Sequence, residues 1–208
     1  MSQHQSLYRV RYLRPSDLAQ VSWIEERSFS TPWSTQTYLR EITRSHYSHM
    51  VAVDRIERLP TTHQWQSLWQ SLTRRQRFNH VLLAYGGLWH FGDEAHISTI
   101  ASHPDYRGQG WGELALVAML RRALTLGVRY VVLEVRVSNK PAQALYRKHG
   151  FQVHGIKQGY YFDNDEDAYD MRLVFAQAGN PSAFESSYQQ YCKRLGLLDQ
   201  YTSGHKPA

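Results

Sequence analysis

Arg107-Gly108-Gln109-Gly110-Trp111-Gly112 stands directly after a strand-like run, Ala95 to Ser102, and directly before a long apolar helix-like run, Gly112 to Leu126, that stops at Gly127. Glycines at this junction let several backbone N–H groups converge on one point without side-chain obstruction. The helix N-terminus adds partial positive charge there. The stretch therefore reads as a phosphate cradle. It is not a Walker loop, because no Gly-Lys-Ser/Thr follows, and its glycine spacing is not that of a dinucleotide fingerprint. The β-branched run Tyr130 to Val137 comes next, so strand, helix and strand form a right-handed parallel crossover.

Working outward, Leu7 to Leu13 alternates as a strand, and Pro15-Ser16-Asp17 opens a helix with Ser16 or Asp17 as its cap and Leu18, Val21 and Ile24 on one face. A second helix is expected from Ser34 to Arg44, and strands at Tyr47 to Val53 and Val81 to Trp89, the latter turning near Gly92-Asp93. Asn139 to His149 reads as a short helix closed by Gly150. Phe151 to Ile156 and Ala168 to Phe175 read as strands joined by a loop, Gly159 to Asp167, and Ala183 to Leu195 as a helix followed by a loose end. The order implies an α/β (α+β) fold, a mixed sheet with helices on both faces.

The chain has 208 residues, 42% apolar and 20% charged, which fits one domain with an appendage or two small domains. A chain of this size buries roughly 70% of its unfolded surface and needs no disulfide or metal to hold a core. Its one cysteine, Cys192, makes neither an internal disulfide nor a multi-cysteine zinc site, and His103, His149 and His154 read as surface or loop residues without ligand spacing, so no metal is expected. Without an apolar signal core or a membrane-length apolar run, a soluble, cytoplasmic setting is the expectation. The net charge of +6, from 24 Lys+Arg against 18 Asp+Glu, suits an anionic partner such as a phosphorylated cofactor, though a solvated basic surface explains it equally. Residues 54–79 separate two strands that a short turn could join. There Trp65, Leu68, Trp69 and Leu72 fall at helical spacing before Arg74-Arg75-Gln76-Arg77, as in an inserted amphipathic helix that either packs on the domain or docks protein or RNA.

Ile100-Ala101-Ser102-His103-Pro104-Asp105-Tyr106-Arg107-Gly108-Gln109-Gly110-Trp111-Gly112 resembles the acetyl-CoA signature of the GNAT N-acetyltransferase superfamily, whose core Arg/Gln-x-x-Gly-x-Gly/Ala is filled by Arg107, Gly110 and Gly112. Leu133-Glu134-Val135-Arg136, Asn139, Ala144-Leu145-Tyr146 and Gly150-Phe151 continue the likeness. Glu26 to Ser34, Tyr160-Tyr161, Glu166-Asp167-Ala168 and Met171 resemble one branch, the RimI-type enzymes that acetylate the N-terminal alanine of a ribosomal protein. The resemblance implies a centrally split sheet and a GNAT domain over residues 1–176, with the 54–79 insert and a 177–208 C-terminal extension as departures. Trp111 stands where a smaller aliphatic residue is usual.

The resemblance also implies roles. Backbone groups at Ile100, Ala101 and Ser102 would hold the pantetheine arm of acetyl-CoA, and the loop from Arg107 through Gly108, Gln109, Gly110, Trp111 and Gly112 to Glu113 would take its pyrophosphate. Asn139 would touch the cofactor. Glu134 would be the general base and Tyr146 the general acid. Trp33, Tyr160 and Tyr161 would line the acceptor groove. Elementary chemistry agrees: a terminal ammonium of pKa about 8 must lose a proton before attacking a thioester, a carboxylate can accept it, aimed N–H groups stabilise the oxyanion, and a phenol can protonate the departing thiolate. Burial is expected to raise the carboxyl of Glu134, which otherwise could pair with Arg136 or a neighbouring sheet residue. Asn139 and Tyr146 are seven residues apart, about two turns, so both can face one groove. The acceptor implied is a protein N-terminus, attacking directly in a ternary complex; a lysine side chain, a small amine, or a non-catalytic CoA-binding module are the alternatives.

Overall fold

The computed structural model describes residues 7–58, 78–176 and 182–202. Eight strands form one sheet: β1 (Leu7–Tyr12), β2 (Ser48–Arg58), β3 (Phe78–Phe91), β4 (Glu94–Ser102), β5 (Tyr130–Arg136), β6 (Gln152–Tyr161), β7 (Glu166–Val174) and β8 (Leu198–Asp199). Their order is β6-β7-β5-β4-β3-β2-β1-β8, with β4–β5 and β1–β8 parallel and the other neighbours antiparallel. The helices are α1 (Leu18–Glu25), α2 (Thr35–Thr43), α3 (Trp111–Thr125), α4 (Lys140–Lys148) and α5 (Ser182–Leu195).

Strand alternation, interrupted by a bulge opposite Val53/Asp54 that lets the consecutive Leu83 and Ala84 share a face, explains the layers. Val51, Val53, Leu83 and Ala84 point to one face and pack with Leu114, Val117 and Met119 of α3 and Phe184 and Tyr188 of α5. Met50, Ala52, Leu82 and Tyr85 point to the other and meet Leu18, Val21 and Ile24 of α1 and Tyr38 of α2. Ser34 caps α2 by accepting from Thr37 N at 3.1 Å, and Gly127, at φ +78°, closes α3.

Several expectations change. β2 runs on to Arg58 and β3 begins at Phe78, so the interruption is shorter than residues 54–79 at both ends; the reading of Trp65, Leu68, Trp69, Leu72 and the arginine run lies outside the described residues. β6 and β7 extend through most of the expected 159–167 loop, leaving a turn at 162–165. The chain after α5 is not loose: β8 pairs with β1, and Tyr201 is fully buried and donates to His49 O at 2.9 Å. Asp17 is no simple cap. It is buried, accepts from Arg14 N at 2.8 Å, and meets Arg11 Nη1 at 2.7 Å. Arg11 Nε also donates to Asp54 at 2.8 Å, and Arg9 Nε donates to the same carboxylate at 2.9 Å, so β1 and β2 are joined by a sealed ion cluster.

Candidate active site

β4 and β5 pair only from Glu94↔Tyr130 to His96↔Val132, whereas β4 stays paired to β3 as far as Ser102↔Ala84. From Ile97 onward the edge of β4 that faces β5 has no strand partner. A register shift at Gly87/Leu88, opposite Thr99 and Ile97, places a bulge beside the point of parting. The cleft therefore has Ile100, Ala101 and Ser102 on one lip and Glu134, two residues past the last paired position, on the other. This is the central split.

The cradle closes one end of that cleft. Gly108 and Gly110 have φ of +74° and +88°, which disfavours any L side chain. A Cβ on Gly110 would lie 2.5 Å from the Tyr191 hydroxyl, and one on Gly112 would lie 2.7 Å from Ser102 Oγ. The first helical bond of α3 runs from Leu114 N to Gly110 O at 2.9 Å, so the amides of Trp111, Gly112 and Glu113 precede the helical ladder. Free amides, left-handed glycines and a helix N-terminus fit a pyrophosphate. Arg107 ties the loop to the segment after α1, donating to Ser28 Oγ at 2.8 Å and Arg27 O at 3.2 Å. Trp111 is accommodated because Tyr8 stacks on it at 5.2 Å and Gln109 Oε1 accepts from its Nε1 at 3.2 Å.

Glu113 turns its side chain away from the loop to accept from Lys148 Nζ at 2.7 Å and His149 Nε2 at 3.0 Å. Burial pushes its carboxyl up, but those two partners outweigh it and hold it below the usual range. His149, expected on the surface, is buried by this contact.

Glu134 Oε2 lies 2.7 Å from His96 Nε2, and Oε1 accepts from Lys157 Nζ. The expectation that burial raises this carboxyl is corrected. Burial does push it up, but the hydrogen bonds and charges of His96 and Lys157 prevail and take it down to about 2. Arg136 is not its partner; that guanidinium binds Asp163 at 2.7 Å and Glu166 at 2.9 Å and covers the Tyr161 ring at 3.9 Å.

The other anticipated residues fall around this point unequally. Lys157 Nζ sits 5.5 Å from the centre of the Tyr160 ring, and Tyr160 meets Tyr161 edge-on at 5.2 Å. Tyr146 is buried against Phe151 at 5.8 Å, and burial, with a smaller effect of Tyr161, pushes its phenol well above the usual value. Trp33 stacks on Trp89 at 6.1 Å, and Trp89 meets His96 edge-on at 5.5 Å, so Trp33 reaches Glu134 only through two rings. Asn139 caps α4, accepting from Ala142 N at 3.2 Å, with its side chain exposed. Sequence reasoning missed His96 and Lys157. It also missed Glu25, a buried carboxylate that accepts from Trp33 N at 2.8 Å, Tyr38 at 2.5 Å and Tyr85, and so orients Trp33.

A sheet split beside a glycine cradle and a carboxylate on the opposite lip define an acyl-CoA-using transferase. The profile of the Acetyltransferase (GNAT) family matches residues 18–151. The chain is 35% identical over 159 residues to a putative [ribosomal protein bS18]-alanine N-acetyltransferase of Bacillus subtilis, covering 76% of this chain and 90% of that one. It is 32% identical over 166 residues to the [ribosomal protein bS18]-alanine N-acetyltransferase of Escherichia coli, covering 79% and 95%. The crystal structure of the ribosomal-protein-S18-alanine N-acetyltransferase from Escherichia coli superposes with a TM-score of 0.62 at 28% identity, over 81% of this chain and 94% of that one. The protein thus belongs to the GNAT family of acetyl-CoA-dependent N-acetyltransferases.

Proposed function

We propose that this protein transfers the acetyl group of acetyl-CoA to the α-amine of a protein N-terminus, that of an N-terminal alanine of a small-subunit ribosomal protein, by direct attack in a ternary complex. The activities for which its relatives from Bacillus subtilis and Escherichia coli are named support the acceptor. The observation that carries the reading is Glu134. It stands across the cleft from the unpaired β4 edge with an ammonium, that of Lys157, already on it. An incoming α-ammonium has the same chemistry and takes the same place.

Acetyl-CoA supplies the activated acyl thioester. The amides ahead of α3 bind the pyrophosphate, and the β4 edge at Ile100, Ala101 and Ser102 offers backbone groups to an extended arm. Glu134, ionised at every working pH, attracts the ammonium and takes its proton directly or through water. Tyr146 keeps its proton at neutral pH and donates it to the departing sulfur. Trp33, Tyr160 and Tyr161 wall the acceptor groove, which suits a small first side chain. Because Glu134 does not titrate near neutrality, it adds no limb to the pH profile of kcat/KM there, and the nearest titration is that of the peptide amine, of pKa about 8.

The organisation we adopt is an acetyltransferase domain over residues 1–176 with a C-terminal extension at 177–208, acting in the cytoplasm. Among the described residues no helix is long and apolar enough to cross a membrane. The test is kcat/KM for matched peptides that begin with Ala, with Ser, or with acetyl-capped Ala followed by Lys. Alanine is expected to lead and serine to follow, since a pocket discriminates by roughly 1–3 kcal/mol per methylene-sized group. The capped lysine peptide is expected last, because its amine, of pKa about 10.4, is rarely neutral. A lead for the capped lysine peptide overturns the acceptor and leaves the fold and cofactor standing.

A further inference from the structure

The C-terminal extension lies beyond the stretch matched by the family profile, which ends at residue 151, and packs on the core through Phe184, Tyr188 and Tyr201. Its helix α5 also touches the cofactor loop: the Tyr191 hydroxyl donates to Gly110 O at 3.2 Å. Beside this contact is a cavity of about 580 Å³, between the first turn of α3, the end of α4 and the last turns of α5. Its lining carries the cations Lys148, Lys193 and Arg194, the amide of Gln190 and the hydroxyls of Ser187 and Tyr191, against one carboxylate, Glu113.

The charges do not cancel. Glu113 is already neutralised by Lys148 at 2.7 Å and hydrogen-bonded by His149 at 3.0 Å. Among the described residues, Lys193 and Arg194 form no ion pair, both are exposed and line the cavity, and the Arg194 guanidinium rests on the Tyr191 ring at 5.0 Å. The amide of Gln190, the hydroxyl of Ser187 and two cations without an ion pair, beside a helix N-terminus, form a site for a phosphate ester.

We propose that this cavity binds the 3′-phosphorylated ribose of CoA, and that Lys193 and Arg194 of the C-terminal helix read its 3′-phosphate. The inference rests on the cofactor reading of the cradle. A pyrophosphate held at Gly108 to Glu113 brings the adjoining ribose toward Glu113 and Tyr191, which belong to both the loop region and the cavity wall. The 3′-phosphate is the next anion along the molecule, and the extension supplies the cations that the stretch Gly108 to Glu113 lacks. The C-terminal helix is then part of the cofactor site, not an ornament on the domain.

The experiment is titration calorimetry of the full-length protein with CoA and with dephospho-CoA, which lacks only the 3′-phosphate. The wild type is expected to bind CoA about 10-fold or more tightly than dephospho-CoA, as loss of a charged hydrogen-bond partner requires. Lys193→Gln combined with Arg194→Gln is expected to bind both ligands with the wild-type affinity for dephospho-CoA. Arg129→Gln, which removes one exposed charge that pairs with Asp93 at 3.6 Å, is expected to keep the wild-type ratio. Equal wild-type affinities, or a ratio retained in the double variant, overturns the inference while the cradle stands. Failure of the wild type to bind either ligand overturns the cradle reading, and this inference with it.

Discussion

Asp54 and Glu134 are both carboxylates on the sheet, both are largely removed from water, and both are held below the ordinary carboxylate range despite burial. They differ in what holds them. Asp54 is fully buried and is gripped by Arg9 and Arg11, with His80 Nε2 at 2.8 Å. Guanidinium groups do not surrender protons and fit a carboxylate at two points. Glu134 is held by a lysine whose side chain is 44% exposed and by an imidazole, at a place where the sheet has come apart. One carboxylate is locked by permanent cations, and the other by partners that a substrate can displace. Burial and a lowered pKa are common to both, so neither singles out Glu134 as the base we propose; replaceable partners at an open edge do.

The comparison is strained most by removing the lock. Arg11→Met leaves Asp17 and Asp54 without their shared cation in a dry site. Denaturant unfolding is expected to show a loss of about 3–5 kcal/mol, with kcat of the remaining folded protein little changed. A smaller effect separates the two in acid. Because the folded-state carboxyl of Glu134 lies at about 2, below its ordinary value of 4.5, its contribution is complete above pH 4.5 and disappears as pH falls through 2. Solvent screening of Lys157 limits it to about 1–2 kcal/mol. Acid titration of stability should therefore fall less steeply between those values in Glu134→Gln than in the wild type, and an unchanged slope would mean the lysine contact is not formed in solution. Smallest is Lys157→Met. It removes the ammonium that competes with the substrate, so KM for an Ala-first peptide should fall by up to about fivefold, the scale of a partly exposed ion pair, without loss of kcat. A rise in KM would assign Lys157 to substrate binding instead.

What could be read from the chain alone follows how local each feature is. The crossover from β4 through α3 to β5 is legible because glycines, an apolar helix and a β-branched strand follow one another within some forty residues. The partners of Glu134 are not, since His96 comes from β4 and Lys157 from β6, and only the register of four strands, β4, β5, β7 and β6, brings them together. The 159–167 stretch looks like a loop because it holds Gly159 and a run of acidic residues. In the fold Gly159 adopts φ +56° within β6, its N–H donates to Asp167 at 2.9 Å, and the register shift there lets the strand continue to Tyr161. The segment after α5 carries no strand pattern, because β8 has two residues and is held by Tyr201 and by pairing to β1. The burial of His149 is equally invisible locally, since the carboxylate it meets, Glu113, lies in another helix.

The central claim is that these two carboxylates divide stability from catalysis. Its most direct test puts Asp54→Asn and Glu134→Gln side by side and measures, for each, the denaturation midpoint, CoA affinity by calorimetry, and kcat with an Ala-first peptide. Asp54→Asn should lower the midpoint strongly and leave kcat of the folded fraction near wild type. Glu134→Gln should cost no more than about 1–2 kcal/mol of stability, keep CoA affinity, and lose about 10²-fold or more in kcat. Full turnover in a folded Glu134→Gln protein would contradict the account.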